Sequence, residues 1–177
     1  MIDFTGKRVL VTGGGVGIGR GIAEAFAQAG AQLFIAEIDP ERAADVAAAI
    51  PSAEVIVCDV LDRGTPAMLA ARIAAAAGRL DVLVNNVGHF VHALPFAMLS
   101  GEQADEILDV NLGQLLRMTA AMLPLLREAA PAARSSTSLR SRPIAAFPIA
   151  ASMPRPRREL RALPRAWRWN SRPKVSG

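Results

Sequence analysis

The amino-acid sequence predicts an α/β fold, in which helices cover both faces of an open, doubly wound parallel sheet. Over residues 1–130, short apolar segments alternate four times with segments of helical periodicity, and the links between them are short. The first apolar segment ends in a glycine-rich loop that leads directly into a helical pattern. The chain has 177 residues, 51% of them hydrophobic, which is enough for one hydrophobic core.

Four segments are predicted as strands because they are short and apolar and are followed by glycine or polar residues. Their nearly continuous apolar character is typical of strands that are buried on both faces of a sheet. Right-handed crossovers bring the carboxyl ends of such strands to one edge. The predicted strands are Lys7–Thr12, Gln32–Glu37, Glu54–Cys58 and Asp81–Asn85.

Three of the predicted helices connect these strands. The first follows the glycines and ends at Gly30, where a glycine is typical of a helix end. The second begins at Asp39-Pro40, an N-cap residue before a proline at the first helical position, and continues to about Ile50. Thr65-Pro66 repeats this arrangement for a third helix that ends at Gly78.

A fourth, long helix is predicted after the last strand. Ser100 and Gln103 have the spacing of a capping box, which marks its start. Its apolar residues are expected to face a core or a subunit interface, and those assigned to the core are Ile107, Leu108, Leu112, Leu115, Leu116 and Met118.

A ligand site is expected at the carboxyl edge of the sheet, where such folds bind their ligands. Glycines let the backbone approach a ligand closely, and the following helix offers free N–H groups to a pyrophosphate. Glu37 lies 18 positions after Gly19, where an acidic side chain can hold a ribose 2′-hydroxyl. No Gly-Lys-Ser/Thr follows the glycines, which excludes a Walker loop. The sequence therefore predicts a dinucleotide site built on Gly13, Gly15, Gly17, Ile18, Gly19 and Glu37.

Four motifs, taken in this order and spacing, resemble the classical short-chain dehydrogenases/reductases. The resemblance extends from Asp3 to about Glu128, and Val87 stands where the family usually has alanine. The motifs are Thr12-Gly13-x-x-x-Gly17-Ile18-Gly19, Asp59-Val60, Asn85-Asn86-Val87-Gly88 and Asn111-Leu112-x-Gln114.

The resemblance implies a Rossmann-like fold and NAD(P)-dependent interconversion of small-molecule alcohols and carbonyls. It implies that the glycines hold the pyrophosphate and that Asp59 and Val60 meet the adenine. Asn86, Val87 and Gly88 would line the nucleotide cleft, and Asn111 would hold a water in a proton relay. Members of the family are homo-oligomers, a state that we do not expect for this chain.

The cofactor expected from the residues is NAD rather than NADP. The Glu37 carboxylate would accept a hydrogen bond from a ribose 2′-hydroxyl but would repel a 2′-phosphate. The next residue is Ile38, not an arginine that could pair with that phosphate.

The family's catalytic serine, tyrosine and lysine have no counterparts in the sequence. Family members carry Tyr-x-x-x-Lys on one helical face, where the lysine lowers the pKa of the phenol for proton transfer. This chain has no tyrosine, and its only lysines are Lys7 and Lys174. Asn111 is the only catalytic residue of the family that remains, so we expect no activity from the chain.

The last 44 residues differ in composition from the rest. Residues 1–133 contain 9 basic and 15 acidic residues, whereas residues 134–177 contain 11 and 1. We therefore expect a partial nucleotide-binding domain over 1–130, truncated after about four strands. Residues 131–177 are expected to form a disordered basic tail rich in arginine, proline and serine.

A shifted reading frame accounts for this tail. Three peptides typical of the family are Leu-Val-Asn-Ile-Ala-Ser, Tyr-Ala-Ala-Ser-Lys and Leu-Ala-Leu-Glu-Leu-Ala-Pro. With suitable codons read one nucleotide late, they give the residues found at 135–140, 153–157 and 167–173. The family's serine and tyrosine then fall at Arg140 and Met153, so the leading hypothesis is a frameshift between about Glu128 and Arg134.

The alternative is a non-catalytic nucleotide-binding module with a genuine basic arm that binds nucleic acid through phosphate contacts. We consider a nucleic-acid partner the less favoured hypothesis, because the shifted frame explains three segments at once.

The remaining features predict a cytoplasmic protein without a membrane segment. No apolar run reaches the roughly 18 residues of a membrane span, and the single cysteine excludes a disulfide framework or a cluster of metal-binding thiolates. Cys58 is expected to be a small buried hydrophobe rather than a nucleophile. His89 and His92 have no evident acidic partner and are expected to be surface or packing residues.

Overall fold

The computed structural model describes residues 3–129, and in this range it contains a four-stranded parallel sheet. The strands lie in the order β3-β2-β1-β4. Because all neighbouring strands are parallel, the chain crosses over the sheet between one strand and the next, and after β3 it returns to place β4 on the other side of β1. This confirms the predicted fold class. The strands are β1 (Arg8–Thr12), β2 (Gln32–Glu37), β3 (Glu54–Val57) and β4 (Val82–Val84).

Helices follow each strand. The first three predicted helices are present, whereas the fourth is divided into two by a π-helical turn over Asp109–Gly113. A short 3₁₀ turn, Phe96–Met98, precedes the first of these two helices. The helices are α1 (Gly17–Gln28), α2 (Pro40–Ala49), α3 (Thr65–Ala77), α4 (Gly101–Leu108) and α5 (Gln114–Ala129).

Both faces of the sheet are packed, because successive side chains of a strand point to opposite sides. On β1, Val9 and Val11 contact the layer that contains α1 and α2, and Leu10 contacts the layer that contains α3 and α5. All three are completely buried. This explains why the strands read as continuous apolar runs rather than as alternating ones.

Two of the three predicted N-cap residues cap their helices as expected. The Asp39 carboxylate accepts hydrogen bonds from the first backbone N–H groups of α2, and Ser100 forms the complete capping box of α4 with Gln103. The prediction for Thr65 was wrong: Gly64 occupies the N-cap position of α3, and Thr65 is already helical and buried. The start of α3 consequently has no side-chain cap.

The π-helical turn is held by two side-chain interactions. Asn111 donates from Nδ2 to the Ile107 carbonyl oxygen at 3.0 Å, an acceptor on the preceding turn. Asp109 pairs with Arg117 across the turn, and a Cβ on Gly113 would lie 2.3 Å from Asp109 Oδ1. Single π-helical turns are frequent at functional sites, and this turn contains Asn111.

The long helix buries a different face from the one that the sequence predicted. Leu108, Leu112 and Leu116 were predicted to be core residues, but they are 56%, 49% and 57% exposed. The prediction followed the leucines, whereas the structure buries a different face, which begins with Val110 in the turn and continues with Gln114 in α5. The side chains that α5 buries are Gln114, Met118, Met122 and Leu125.

The predictions made for the basic segment over 131–177 lie outside the described residues. Within the described part, no helix is both long and apolar enough to cross a membrane.

Candidate functional site

The carboxyl ends of β1 and β4 are joined by hydrogen bonds between two loops. Thr12, at the end of β1, is fully buried, and its Oγ1 accepts a hydrogen bond from the Asn86 backbone N–H at 3.0 Å. The Asn86 side chain donates from Nδ2 to the carbonyl oxygens of Thr12 and Gly13, at 3.1 and 3.2 Å. Hydrogen bonds therefore join the glycine loop and the Asn85–Gly88 loop at one edge of the site.

The glycine loop needs glycine at its turns and at its contact with the sheet. Gly13 and Gly17 have φ angles of +64° and +60°, which side chains with a Cβ rarely adopt. A Cβ on Gly19 would lie 2.1 Å from the Gly13 carbonyl oxygen and 2.5 Å from Asn86 Nδ2. The first turn of α1 consequently packs directly against the strand end.

Among residues 3–129, no side chain caps the N-terminus of α1. The N-cap residue Val16 provides no side-chain hydrogen bond, and the first turn contains no acidic residue. The N–H groups at the start of a helix have no intrahelical partner and carry a partial positive charge. Val16 and Ile18 are 54% and 78% exposed, so this helix end is open to solvent. It can bind an anion such as a pyrophosphate.

Glu37 lies beside the glycine loop but does not project into solvent. The residue is only 4% exposed, and its Oε2 accepts a hydrogen bond from the Gly15 backbone N–H at 2.8 Å. A Cβ on Gly15 would lie 2.6 Å from this oxygen and 2.9 Å from the Cβ of Arg42. The loop at Gly15 therefore passes closely between Glu37 and the first turn of α2.

Asp59 and Val60 follow β3 at the same edge. The Asp59 carboxylate is exposed and accepts a hydrogen bond from the Leu61 backbone N–H at 2.8 Å. The Val60 side chain is buried in the core, at 6% exposure. A ligand at this edge could therefore contact Asp59 or the Val60 backbone, but not the Val60 side chain.

Asn111 and Gln114 bring the π-helical turn to the loop after β4. Asn111 donates from Nδ2 to the His89 carbonyl oxygen at 3.1 Å, and its Oδ1 lies 2.9 Å from where a Cβ on Gly88 would be. Gln114 is fully buried and donates from Nε2 to the Val87 carbonyl oxygen at 2.9 Å. These contacts place the Val87–His89 backbone beside Asn111.

The structure corrects one prediction about the histidines and agrees with the prediction for the cysteine. His92 has an acidic partner after all, because its Nε2 lies 2.8 Å from Glu106 Oε2 on α4. The partner was missed because 14 residues separate the two in sequence. Cys58 is half-buried against the core, and this burial, followed by the Asp59 carboxylate, raises the pKa of its thiol to about 11. The thiol is therefore neutral at pH 7, which does not suit a nucleophile.

The structure places no lysine at this edge of the sheet among residues 3–129. Lys7 precedes β1, at the opposite edge of the sheet, where its Nζ lies 3.4 Å from Asp81 Oδ1. Lys174 lies outside the described residues.

Sequence reasoning missed the contacts of Gln114 and Arg42. Gln114 was noted as part of a motif but was not expected to be buried, and a polar residue at helical spacing from Met118 and Met122 could have indicated this. Nothing in the sequence placed Arg42 against Gly15.

Comparisons with known proteins agree with this architecture. The family model described as short chain dehydrogenase matches residues 7–134. L-fucose dehydrogenase of Bos taurus is 35% identical over 125 residues, which cover 71% of this chain and 46% of that protein. Oxidoreductase UcpA of Escherichia coli is 36% identical over 127 residues, which cover 70% of this chain and 48% of that protein. The chain thus spans about half the length of these relatives.

Two solved structures show the same fold. A short-chain dehydrogenase from Streptomyces avermitilis has a TM-score of 0.64 and 36% identity over 69% of this chain and 45% of its own. The Pseudomonas aeruginosa RhlG/NADP active-site complex has a TM-score of 0.67 and 31% identity over 74% of this chain and 52% of its own. With the family model matched over residues 7–134, these findings show that the chain belongs to the short chain dehydrogenase family.

Proposed function

We propose that this chain is the nucleotide-binding part of an oxidoreductase that interconverts an alcohol and a carbonyl on a small-molecule substrate with NAD. The observation that carries the proposal is the uncapped, solvent-open N-terminus of α1 behind a glycine loop that Asn86 fixes to β4. This arrangement fits a dinucleotide pyrophosphate. When bound, the nicotinamide of such a cofactor accepts or donates a hydride.

Each part of the site has a proposed role. The residues Gly13, Gly15, Gly17, Ile18 and Gly19 would hold the pyrophosphate, and Glu37 the adenosine ribose. Asp59 and the Val60 backbone would border the adenine, and Asn86, Val87 and Gly88 would line the cleft. Asn111 would hold a water of a proton relay; its Nδ2 already donates to the carbonyl oxygens of Ile107 and His89, so its Oδ1 is the side-chain atom left for that water.

Two matched glycine substitutions in the first turns of α1 test nucleotide binding. We expect Gly19→Ala to weaken NAD binding, because its Cβ would meet backbone at 2.1 Å. Such overpacking costs about 1–3 kcal/mol, or about 5- to 150-fold in affinity if it falls on the loop. Gly21→Ala is the control, since a Cβ there meets no atom within 4 Å and alanine favours a helix. Isothermal titration of NAD into both variants, with thermal unfolding of each, measures the effect. Equal affinities in the two variants would contradict the proposed site.

The cofactor preference follows from the charges beside Gly15. We expect NAD to bind at least about tenfold more tightly than NADP, a difference of about 1.4 kcal/mol, because Glu37 repels a 2′-phosphate. The Arg42 guanidinium could offset this repulsion, but its Nε faces Asp39 Oδ2 at 3.4 Å. The dissociation constants of NAD and NADP, measured with the same protein and buffer, test this preference. Tighter binding of NADP would refute the preference.

We further propose that the chain as it stands is inactive and that residues after about Glu128 are read in a shifted frame. The absence of tyrosine from the whole sequence supports the first part, and the change to an arginine-rich composition supports the second.

The arginine-rich composition after residue 133 also supports a second candidate function, a non-catalytic nucleotide-binding module with a basic arm. Retention on DNA that weakens with added salt would favour that candidate.

A further inference from the structure

Glu37 uses most of its hydrogen-bonding capacity within the protein. Its Oε2 accepts the Gly15 N–H at 2.8 Å, and its Oε1 accepts the N–H groups of Ile38 and Asp39 at 3.1 and 3.2 Å. An ionised carboxylate offers about four lone-pair sites. Three of them are occupied by backbone, so about one remains on Oε2.

The bond from Gly15 joins two loops that are distant in sequence, whereas the bonds from Ile38 and Asp39 are local to the turn after β2. Gly15 belongs to the loop after β1, Ile38 follows β2, and Asp39 is the N-cap residue of α2. Within residues 3–129 no cation pairs with Glu37, so backbone N–H dipoles alone stabilise this nearly buried charge. Hydrogen bonds to a charged acceptor are stronger than those between neutral groups, and burial strengthens them further.

We infer that Glu37 is a positioning residue for the glycine loop, which it holds at Gly15 before any nucleotide arrives. The effect of this role on nucleotide affinity rests on the proposed function. A loop fixed in advance binds its ligand without first having to be ordered, which improves affinity.

The close packing of the loop supports this role. A Cβ on Gly14 would lie 2.6 Å from Ile35 Cγ2, and a Cβ on Gly15 would lie 2.6 Å from Glu37 Oε2. Both residues are buried, although they belong to a loop. The loop thus rests on the end of β2, and Glu37 provides the polar part of that contact.

Amide hydrogen exchange of the whole 177-residue chain without nucleotide tests this role directly. In the unmodified protein, we expect the Gly15 amide to exchange at least about tenfold more slowly than its intrinsic rate, because opening it breaks a bond to a buried charge. In Glu37→Gln, we expect this protection to fall by at least about tenfold, since the amide side chain lacks the charge and one acceptor oxygen. Glu41→Gln is the matched control, because Glu41 is exposed on α2 and its side chain makes no hydrogen bond or ion pair with the loop among the described residues.

Several results would overturn the inference. Intrinsic exchange of Gly15 in the unmodified protein would do so without any variant, and so would equal protection in Glu37→Gln and Glu41→Gln. If Glu37→Gln does not fold, the measurement on the unmodified chain still decides, because it needs no substitution.

Nucleotide titrations test the positioning role by a second route and separate it from the proposed function. We expect Glu37→Gln to weaken the binding of both NAD and its 2′-deoxyadenosine analogue, since both ligands need the glycine loop in place. A loss confined to NAD would mean that Glu37 acts on the ribose alone, which overturns the positioning role. If neither compound binds any variant while Gly15 stays protected, the proposed function fails and the positioning of the loop stands.

Discussion

The purified chain is expected to transfer no hydride between NAD and an alcohol at an enzymatic rate. A positioned proton donor or acceptor contributes about 10²–10⁴-fold to such a step, and this chain has no tyrosine to provide one. Lys7 cannot assist a neighbouring group at the site, because it pairs with Asp81 at the opposite edge of the sheet. Asn111 cannot take over, since a carboxamide does not titrate near neutral pH.

The measurement is NADH absorbance during incubation of the chain with NAD and a panel of small alcohols. A mock preparation from cells without the gene controls for contaminating dehydrogenases, and the Gly19→Ala variant controls for activity that does not use this site. Turnover that scales with the purified chain, is lost in Gly19→Ala and is absent from the mock preparation would refute the prediction. Such a result would require a proton donor that the family does not use.

The sheet could be predicted from the sequence because each strand is a local pattern. Short apolar runs that end in glycine or polar residues are bounded by their own chemistry, and so are the helices that start at Asp39 and Ser100. The predicted ends differ by one residue or so, as at Cys58, which lies just beyond β3. Parallel order follows because every link is a helix that crosses over the sheet.

The parts that could not be predicted depend on contacts between distant residues. The long helix leaves Leu112 and Leu116 exposed and buries instead the face of Gln114, whose side chain bonds to the Val87 carbonyl oxygen 27 positions away. Likewise, 22 positions separate Glu37 from Gly15, and the pattern indicated a ribose-binding acid but not a carboxylate already bonded to the loop. Local periodicity contains no information about such pairs.

Correction of the reading frame before Ser135 is expected to produce an active dehydrogenase. One inserted or deleted nucleotide should replace Arg140 by serine, Met153 by tyrosine and Arg157 by lysine together, and should remove most of the ten arginines after residue 133. Restored activity should be at least the roughly 10²–10⁴-fold that the proton-transfer residues contribute. The repaired gene is tested in the same NADH assay, beside a second repaired gene in which the new tyrosine codon encodes phenylalanine.

The described part of the fold also has a place for the restored residues. Strand β4 pairs only with β1 there, so its other edge has unpaired backbone groups. Among residues 3–129, Oδ1 of Asn85, just after β4, is buried without a hydrogen-bond partner, and so is Oε1 of Gln114, whose amide donates to Val87. An unpaired buried acceptor costs about 1–3 kcal/mol, so donors from a further strand next to β4 would stabilise the sheet.

The nucleotide sequence of the gene decides between the frameshift and the basic arm before any assay. A misread family sequence predicts that the shifted frame encodes Tyr-x-x-x-Lys at the position of Met153 and continues without a stop codon beyond Gly177. A genuine arm predicts that every alternative frame is unrelated to the family or soon meets a stop codon. Recovery of three separate catalytic positions by one edit has a very low probability by chance, since each must fall at its own codon. A shifted frame that lacks these residues would refute the frameshift and leave the nucleotide-binding module with a basic arm in its place.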